Sequence, residues 1–140
     1  MKSGVTLIEL LVVIAFISII AASSAPFLGR FVIQNYMDSS VDRVVSTLKK
    51  AQSYSMDGKN NETWGACVTG SNIRLFTGSC GSPSFNEDFS FPASVSITGF
   101  SSITFSKTRG EPSATLSVVI STSVGTKTIT LNAAGEVDIN

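Results

Sequence analysis

Three hydrophobic patterns follow one another along this chain. From Val5 to Gly29 almost every position is apolar, and Glu9 is the one charged side chain in the stretch. After Arg30 the apolar positions thin to a stripe. Met37, Val41, Val44, Leu48 and Ala51 recur at spacings of four, three, four and three, which is one face of an amphipathic helix. Asp38, Asp42, Arg43, Lys49 and Lys50 fall off that stripe, and Asp38 and Asp42 with Arg43 and Lys49 read as a solvated face. Gly58, with Lys59-Asn60-Asn61 after it, is a helix stop and polar turn. From Glu62 onward the period shortens to two, the signature of strands.

The strand-like segments are short. Thr63–Thr69 and Asn72–Thr77 flank a Gly70-Ser71 turn, and a Gly/Ser/Pro-rich loop follows from Gly78 to Ser84. Phe85, Phe89 and Phe91 alternate at wider spacing. Val95 with Ile97, Ile103 with Phe105, Leu116-Val118-Ile120, Ile129 with Leu131, and Val137 with Ile139 supply further strands, separated by turns at Ser123-Val124-Gly125 and Ala133-Ala134-Gly135. Short strands rich in Ser and Thr predict an antiparallel sheet covered on one face, and the amphipathic helix is the obvious cover. The expected fold class is α+β. A long N-terminal helix, transmembrane in its first half, packs its second half on a small antiparallel β domain. The expected boundaries are a leader at 1–4, a membrane or filament-core helix at 5–29 and a globular domain at 30–140. Within that domain the half-helix covers 30–57 and the β region 62–140.

The first segment is long enough to span a bilayer. Val5 to Leu28 rises about 36 Å as a helix, against about 30 Å of hydrocarbon. Pro26 lacks the amide hydrogen that the ladder needs, so it marks either a terminator or a kink. Because helical patterning resumes beyond it, a kink near Pro26 is expected. Lys2 precedes the apolar run and Arg30 follows it. The positive-inside rule then puts the N-terminus in the cytoplasm and the C-terminal domain outside the inner membrane.

Glu9 changes this picture. A carboxylate in a membrane segment costs a few kcal/mol on insertion scales, so a segment built only to anchor has no use for it. A Sec signal peptide also has a basic start and an apolar core. Its cleavage site would fall near Ala22-Ser23-Ser24-Ala25, however, directly before Pro26, with Glu9 at the start of the apolar core. A helix that meets a partner charge fits better.

Gly4-Val5-Thr6-Leu7-Ile8-Glu9-Leu10-Leu11-Val12-Val13-Ile14-Ala15 resembles the class III signal of type IV pilins and type II secretion pseudopilins. The resemblance implies that prepilin peptidase cuts between Gly4 and Val5 and that the new N-terminus is methylated. It also makes Glu9, the fifth mature residue, a guide for filament assembly. Pro26 stands where the family helix commonly has a proline, and Val5 replaces the family's usual Phe. A second, looser likeness runs through Ile103-Thr104-Phe105-Ser106, Gly110, Pro112, Ile129-Thr130-Leu131-Asn132 and Gly135-Glu136-Val137. It is similar to pseudopilin H and FimT-type minor pilins. The implied partners are other pilin or pseudopilin subunits, the peptidase and an inner-membrane assembly platform. Some FimT-type pilins bind DNA through arginines near the C-terminal glycine. Here Glu136 and Asp138 follow Gly135, the wrong sign for DNA, so nucleic acid is not an expected partner.

Composition narrows the chemistry. Over 140 residues the formal net charge is zero, from ten basic and ten acidic side chains, which gives no polyanion-binding surface. Histidine is absent, and with it the commonest acid–base catalyst and metal ligand. A serine nucleophile would lack its usual base. Cys67 and Cys80 are the two cysteines. Outside the inner membrane such a pair is best read as a disulfide, with two reduced buried thiols as the alternative. Two thiols without histidine make a poor zinc site. Asn86-Glu87-Asp88 is a fragment of a calcium loop at most and reads as a solvated loop. Trp64 reads as core, and Arg74 and Arg109 as isolated surface charges. No catalytic residue, metal or cofactor is expected, and the chain is not read as an enzyme.

Three classes of function stand at this point. The first is a structural subunit of a type IV pilus or type II secretion pseudopilus. The second is a binding pilin displayed on such a filament, for adhesion or DNA uptake. The third is a Sec-exported periplasmic protein that discards its first residues.

Overall fold

The computed structural model describes residues 4–100 and 102–140, apart from the side chains of residues 24–26. One helix, α1 (Leu7–Met56), is followed by eight strands: β1 (Trp64–Thr69), β2 (Asn72–Gly78), β3 (Pro83–Ser90), β4 (Ser96–Thr98), β5 (Ile103–Thr104), β6 (Leu116–Thr122), β7 (Gly125–Leu131) and β8 (Val137–Ile139). The chain thus has one long apolar N-terminal helix and a small antiparallel β domain. It divides into two compact units, one ending at Val32 and the other Ile33–Asn140. Pro26 lies within α1, and the kink expected there falls outside the described side chains, as does Lys2.

Within the second unit the strands form two four-stranded sheets, in the orders β3-β2-β1-β5 and β4-β6-β7-β8, with every pairing antiparallel. This corrects the expectation of a single covered sheet. The stripe Met37, Val41, Val44, Leu48 and Ala51 is buried against both sheets in one core. The first sheet contributes Trp64, Ala66, Ile73 and Leu75, and the second Leu116, Val118, Ile120, Ile129 and Leu131. A helix flanked by two sheets buries a wider arc than one stripe. Ser40, Thr47 and Ser55 are therefore buried as well. Ser40 and Thr47 donate their hydroxyls to the carbonyls of Tyr36 and Arg43, both at 2.7 Å, so their polarity is satisfied inside the helix. Ser55 accepts from the Trp64 amide at 2.8 Å and donates to the Trp64 carbonyl, and so ties the start of β1 to the last turn of α1.

The end of α1 follows its sequence. Gly58 takes φ 62°, and its amide returns to the Ser55 carbonyl at 3.1 Å, a left-handed stop that glycine adopts without steric cost. Asn60 and Asn61 continue the left-handed turn. Trp64 is buried as expected, and its indole N–H donates to the Lys59 carbonyl at 3.0 Å.

Two ion pairs link α1 to the two sheets. Asp38 meets Lys127 of β7 at 2.8 Å, and Lys50 meets Glu87 of β3 at 2.5 Å. Asp38 is thus more than a solvated charge. The Asn86-Glu87-Asp88 segment is likewise not a loop, because it forms the middle of β3.

Candidate processing and assembly site

The N-terminal segment is built around its helix start. Gly4, Val5 and Thr6 precede α1 and are exposed. Thr6 is the cap: its Oγ1 accepts the Glu9 amide at 3.3 Å, and its carbonyl accepts the Leu10 amide at 3.2 Å. Glu9 is the third helical residue. Thr6-Leu7-Ile8-Glu9 therefore has the spacing of a capping box, and a carboxylate in a first turn is also favoured by the helix dipole. This local role of Glu9 is legible as Thr-x-x-Glu, and attention to its charge alone passes over it.

Among the described residues nothing requires Gly4 to be glycine. A Cβ built on it meets nothing within 4 Å, and it is absent from the left-handed glycines. The bond between Gly4 and Val5 lies in exposed, non-helical chain, two residues before α1 begins. A protease can bind such a segment extended.

Beyond the cap, every described residue up to Val32 is exposed, including Leu7 at 78%, Ile8 at 70%, Phe16 at 63% and Ile19 at 67%. A helix apolar on all sides is stable only in lipid or among other helices. This one is long and apolar enough to cross a membrane. Ser18 and Ser23 do not spoil it. Ser18 donates its hydroxyl to the Ile14 carbonyl at 2.7 Å, and Ser23 donates to the Ile20 carbonyl at 2.9 Å, the internal pairing that such groups would need in lipid.

The cysteines are joined. Cys67 of β1 and Cys80 of the β2–β3 connection form a disulfide. Arg74 is not isolated, contrary to its reading from sequence. It grips Asp88 through Nε at 2.7 Å and Nη2 at 2.8 Å, and its Nη1 donates to the Cys80 carbonyl at 3.2 Å. That guanidinium holds the Asp88 carboxyl below its ordinary range, and Lys127 does the same to Asp38. Glu87 and Asp88 face Lys50 and Arg74 respectively. As neighbours on one strand they point to opposite faces, so they do not share a cation. Among the described residues no group of three or more His, Cys, Asp or Glu stands together to hold a metal ion. Arg109 is exposed and stands 3.6 Å from Glu111.

Comparison with protein-family models, with curated proteins and with solved structures found no match to this chain.

Proposed function

We propose that the chain is a filament subunit of the type IV pilin class, a pilin or minor pseudopilin. It is cut by prepilin peptidase between Gly4 and Val5 and assembles through the N-terminal half of α1. Under this reading the chain sits in the inner membrane with its C-terminal domain outside, and then passes into a pilus or a type II secretion pseudopilus. The observation that carries the proposal is Glu9, the one charge between Val5 and Gly29 in an exposed and otherwise mainly apolar stretch. A plain anchor gains only a modest first-turn stabilisation from that charge, whereas a helix that must find one axial offset among its neighbours gains a register from it. Gly4 adds support, since nothing among the described residues around it asks for glycine, which is what recognition by an outside enzyme would leave behind.

The deciding experiment is mass spectrometry of the protein from its native host. The expected chain begins at Val5, with or without N-methylation. A chain beginning near Pro26 would make this a Sec-exported protein instead. Gly4→Asp is expected to leave the leader attached.

A further inference from the structure

Strand β3 reads nearly the same in both directions. About Glu87, the sequence Ser84-Phe85-Asn86-Glu87-Asp88-Phe89-Ser90 matches Ser84 with Ser90, Phe85 with Phe89, and Asn86 with the similarly shaped Asp88. β3 is also an edge, paired with β2 alone at the end of its sheet. The Phe91 amide bonds the Ser71 carbonyl at 2.8 Å. Hydrogen-bonded pairs alternate along an antiparallel ladder, so Phe89, Glu87 and Phe85 turn their backbone groups toward β2. Those of Asn86, Asp88 and Ser90 point out from the open edge. Natural sheets guard such edges with short strands or charges. The other three edges are short: β4 and β8 have three residues each and β5 has two, whereas β3 has eight. Pro83 blocks only its first position. Its two carboxylates are weak guards, because Lys50 holds Glu87 and Arg74 holds Asp88. Phe85 is 47% exposed, on the face it shares with Glu87 and Phe89.

We infer that β3 is a self-pairing edge, whose partner is β3 of a second copy of this chain, antiparallel about a twofold axis at Glu87. In that register Asn86 lies opposite Asp88 of the second copy, and the two exchange backbone hydrogen bonds. Their side chains share one face, where the amide donates to the carboxylate. Phe85 lies opposite Phe89 of the second copy at the closer, non-hydrogen-bonded spacing, where aromatic pairs stabilise a sheet. The twofold repeats both pairs. Glu87 meets its own image, and in each copy Lys50 stands 2.5 Å from that carboxylate and offsets its charge. Sliding one strand by two residues sets Phe85 opposite Glu87, or Asp88 opposite its own image. The side chains therefore specify the register. The axis stands perpendicular to the sheet and reverses the half of α1 packed on it. The contact thus joins chains that are not neighbours in one filament, and it does not rest on how the N-terminus is processed.

The test is disulfide trapping on the full chain in detergent. Glu87→Cys places two thiols opposite each other across the twofold, with Cα atoms about 4.5 Å apart, within reach of a disulfide. Ser117→Cys is the control, since Ser117 is exposed on β6, inside its sheet rather than at an edge. Any association through the apolar part of α1 gives no preference for residue 87. Under a mild oxidant Glu87→Cys should cross-link about tenfold faster than the control, because pairing raises the local thiol concentration. Peptide mapping should find the introduced thiols joined to each other. Asn86→Pro in the same chain removes an outward amide and no bond to β2, and should return cross-linking to the control rate with Trp64 fluorescence unchanged. Phe85→Ser, at an exposed position, should slow it about threefold through loss of the aromatic pairs, and decides the matter if the proline disturbs the fold. Equal rates for Glu87→Cys and Ser117→Cys would overturn the inference. So would a Glu87→Cys dimer that forms undiminished in a folded Asn86→Pro chain or in Phe85→Ser.

Discussion

Arg74 and Asp88 face each other across β2 and β3, and Cys67 faces Arg74 from β1. The three residues form one row over three strands. From the middle of that row, Arg74 holds both the Asp88 carboxylate and the carbonyl of Cys80, the partner of Cys67 in the disulfide. The β2–β3 connection is made of small and polar residues, Ser79-Cys80-Gly81-Ser82. It has no apolar anchor of its own. The disulfide and the guanidinium hold it in place of one.

Replacing Cys67 and Cys80 by serine should therefore lower the stability of the β domain by about 3 kcal/mol, the chain-entropy value for a loop of this size. Trp64 is the chain's single tryptophan and is buried in the domain. Its fluorescence during denaturant unfolding of the full chain in detergent is the measurement. Non-reducing peptide mapping should recover the two cysteine peptides joined.

Acid should weaken the same region. Asp88 and Asp38 both have carboxyl pKa values lowered in the folded chain, by Arg74 and Lys127. A group depressed on folding contributes stability that is complete above its unfolded value, about 3.9. That contribution is lost as pH falls through the lower folded value. Asp38→Asn with Asp88→Asn should reduce the melting temperature at neutral pH and flatten its fall on acidification. Melting curves followed by circular dichroism between neutral pH and pH 2 would show this. A variant whose acid limb parallels the parent's would rule these two carboxylates out as its source.

A third test concerns the contact between α1 and two distant turns. Gly110 and Gly135 are both buried at positive φ, and both lie against Gln52. A methyl group on Gly135 would run into Gln52 Nε2 and would force an L-residue into a left-handed backbone. Gly135→Ala should cost roughly 1–3 kcal/mol. Gln52→Ala leaves the buried Gly110 carbonyl without its donor and should cost about as much. Gly125→Ala is the control, since φ there is not positive and nothing lies within 4 Å of the new methyl. It should change the unfolding midpoint little.

These contacts mark where reading the sequence succeeds and where it stops. The stripe from Met37 to Ala51 is legible because helical periodicity depends only on spacing along the chain, and each of its five residues is buried. The turn at Gly70, the stop at Gly58 and the alternation in Leu116-Val118-Ile120 are local in the same way. Arg74 and Asp88 are fourteen residues apart, and their meeting depends on a register that shifts at Thr77/Gly78. Periodicity does not report that shift. The division into two sheets escapes for the same reason, because strand order is decided by packing on α1. Ser40 and Thr47 look like surface residues because their bonds to Tyr36 and Arg43 use only the helix backbone. At the N-terminus the motif Gly4 to Glu9 is fully legible as a pattern, whereas its capping geometry emerges only once the helix start is placed at Leu7.

That geometry sharpens the test of Glu9. It sits in the first turn of its own helix, and the proposed function gives it a second, separable role toward a neighbour. A favourable position beside the helix N-terminus is worth a few tenths of a kcal/mol to about 1 kcal/mol at an exposed site. A buried carboxylate that lacks its partner charge costs several times more in a low-dielectric helix bundle. If the neighbour's free amine at Val5 is that partner, subunits are drawn to the axial offset that pairs the charges, and the charge matters more than the cap. Glu9→Gln keeps the length, helix propensity and hydrogen bonding of the side chain and removes only the charge. It should be inserted and cut at Gly4 like the parent, yet fail to enter filaments, as should Glu9→Val. Thr6→Ala removes the cap at a cost of about 1 kcal/mol, keeps the charge, and should enter filaments at reduced yield. The quantity to measure is each variant's share in sheared or detergent-resistant filaments relative to the membrane pool, with the N-terminus checked by mass spectrometry. Normal incorporation of Glu9→Gln would mean that Glu9 serves its own helix and that the assembly role proposed for it is wrong.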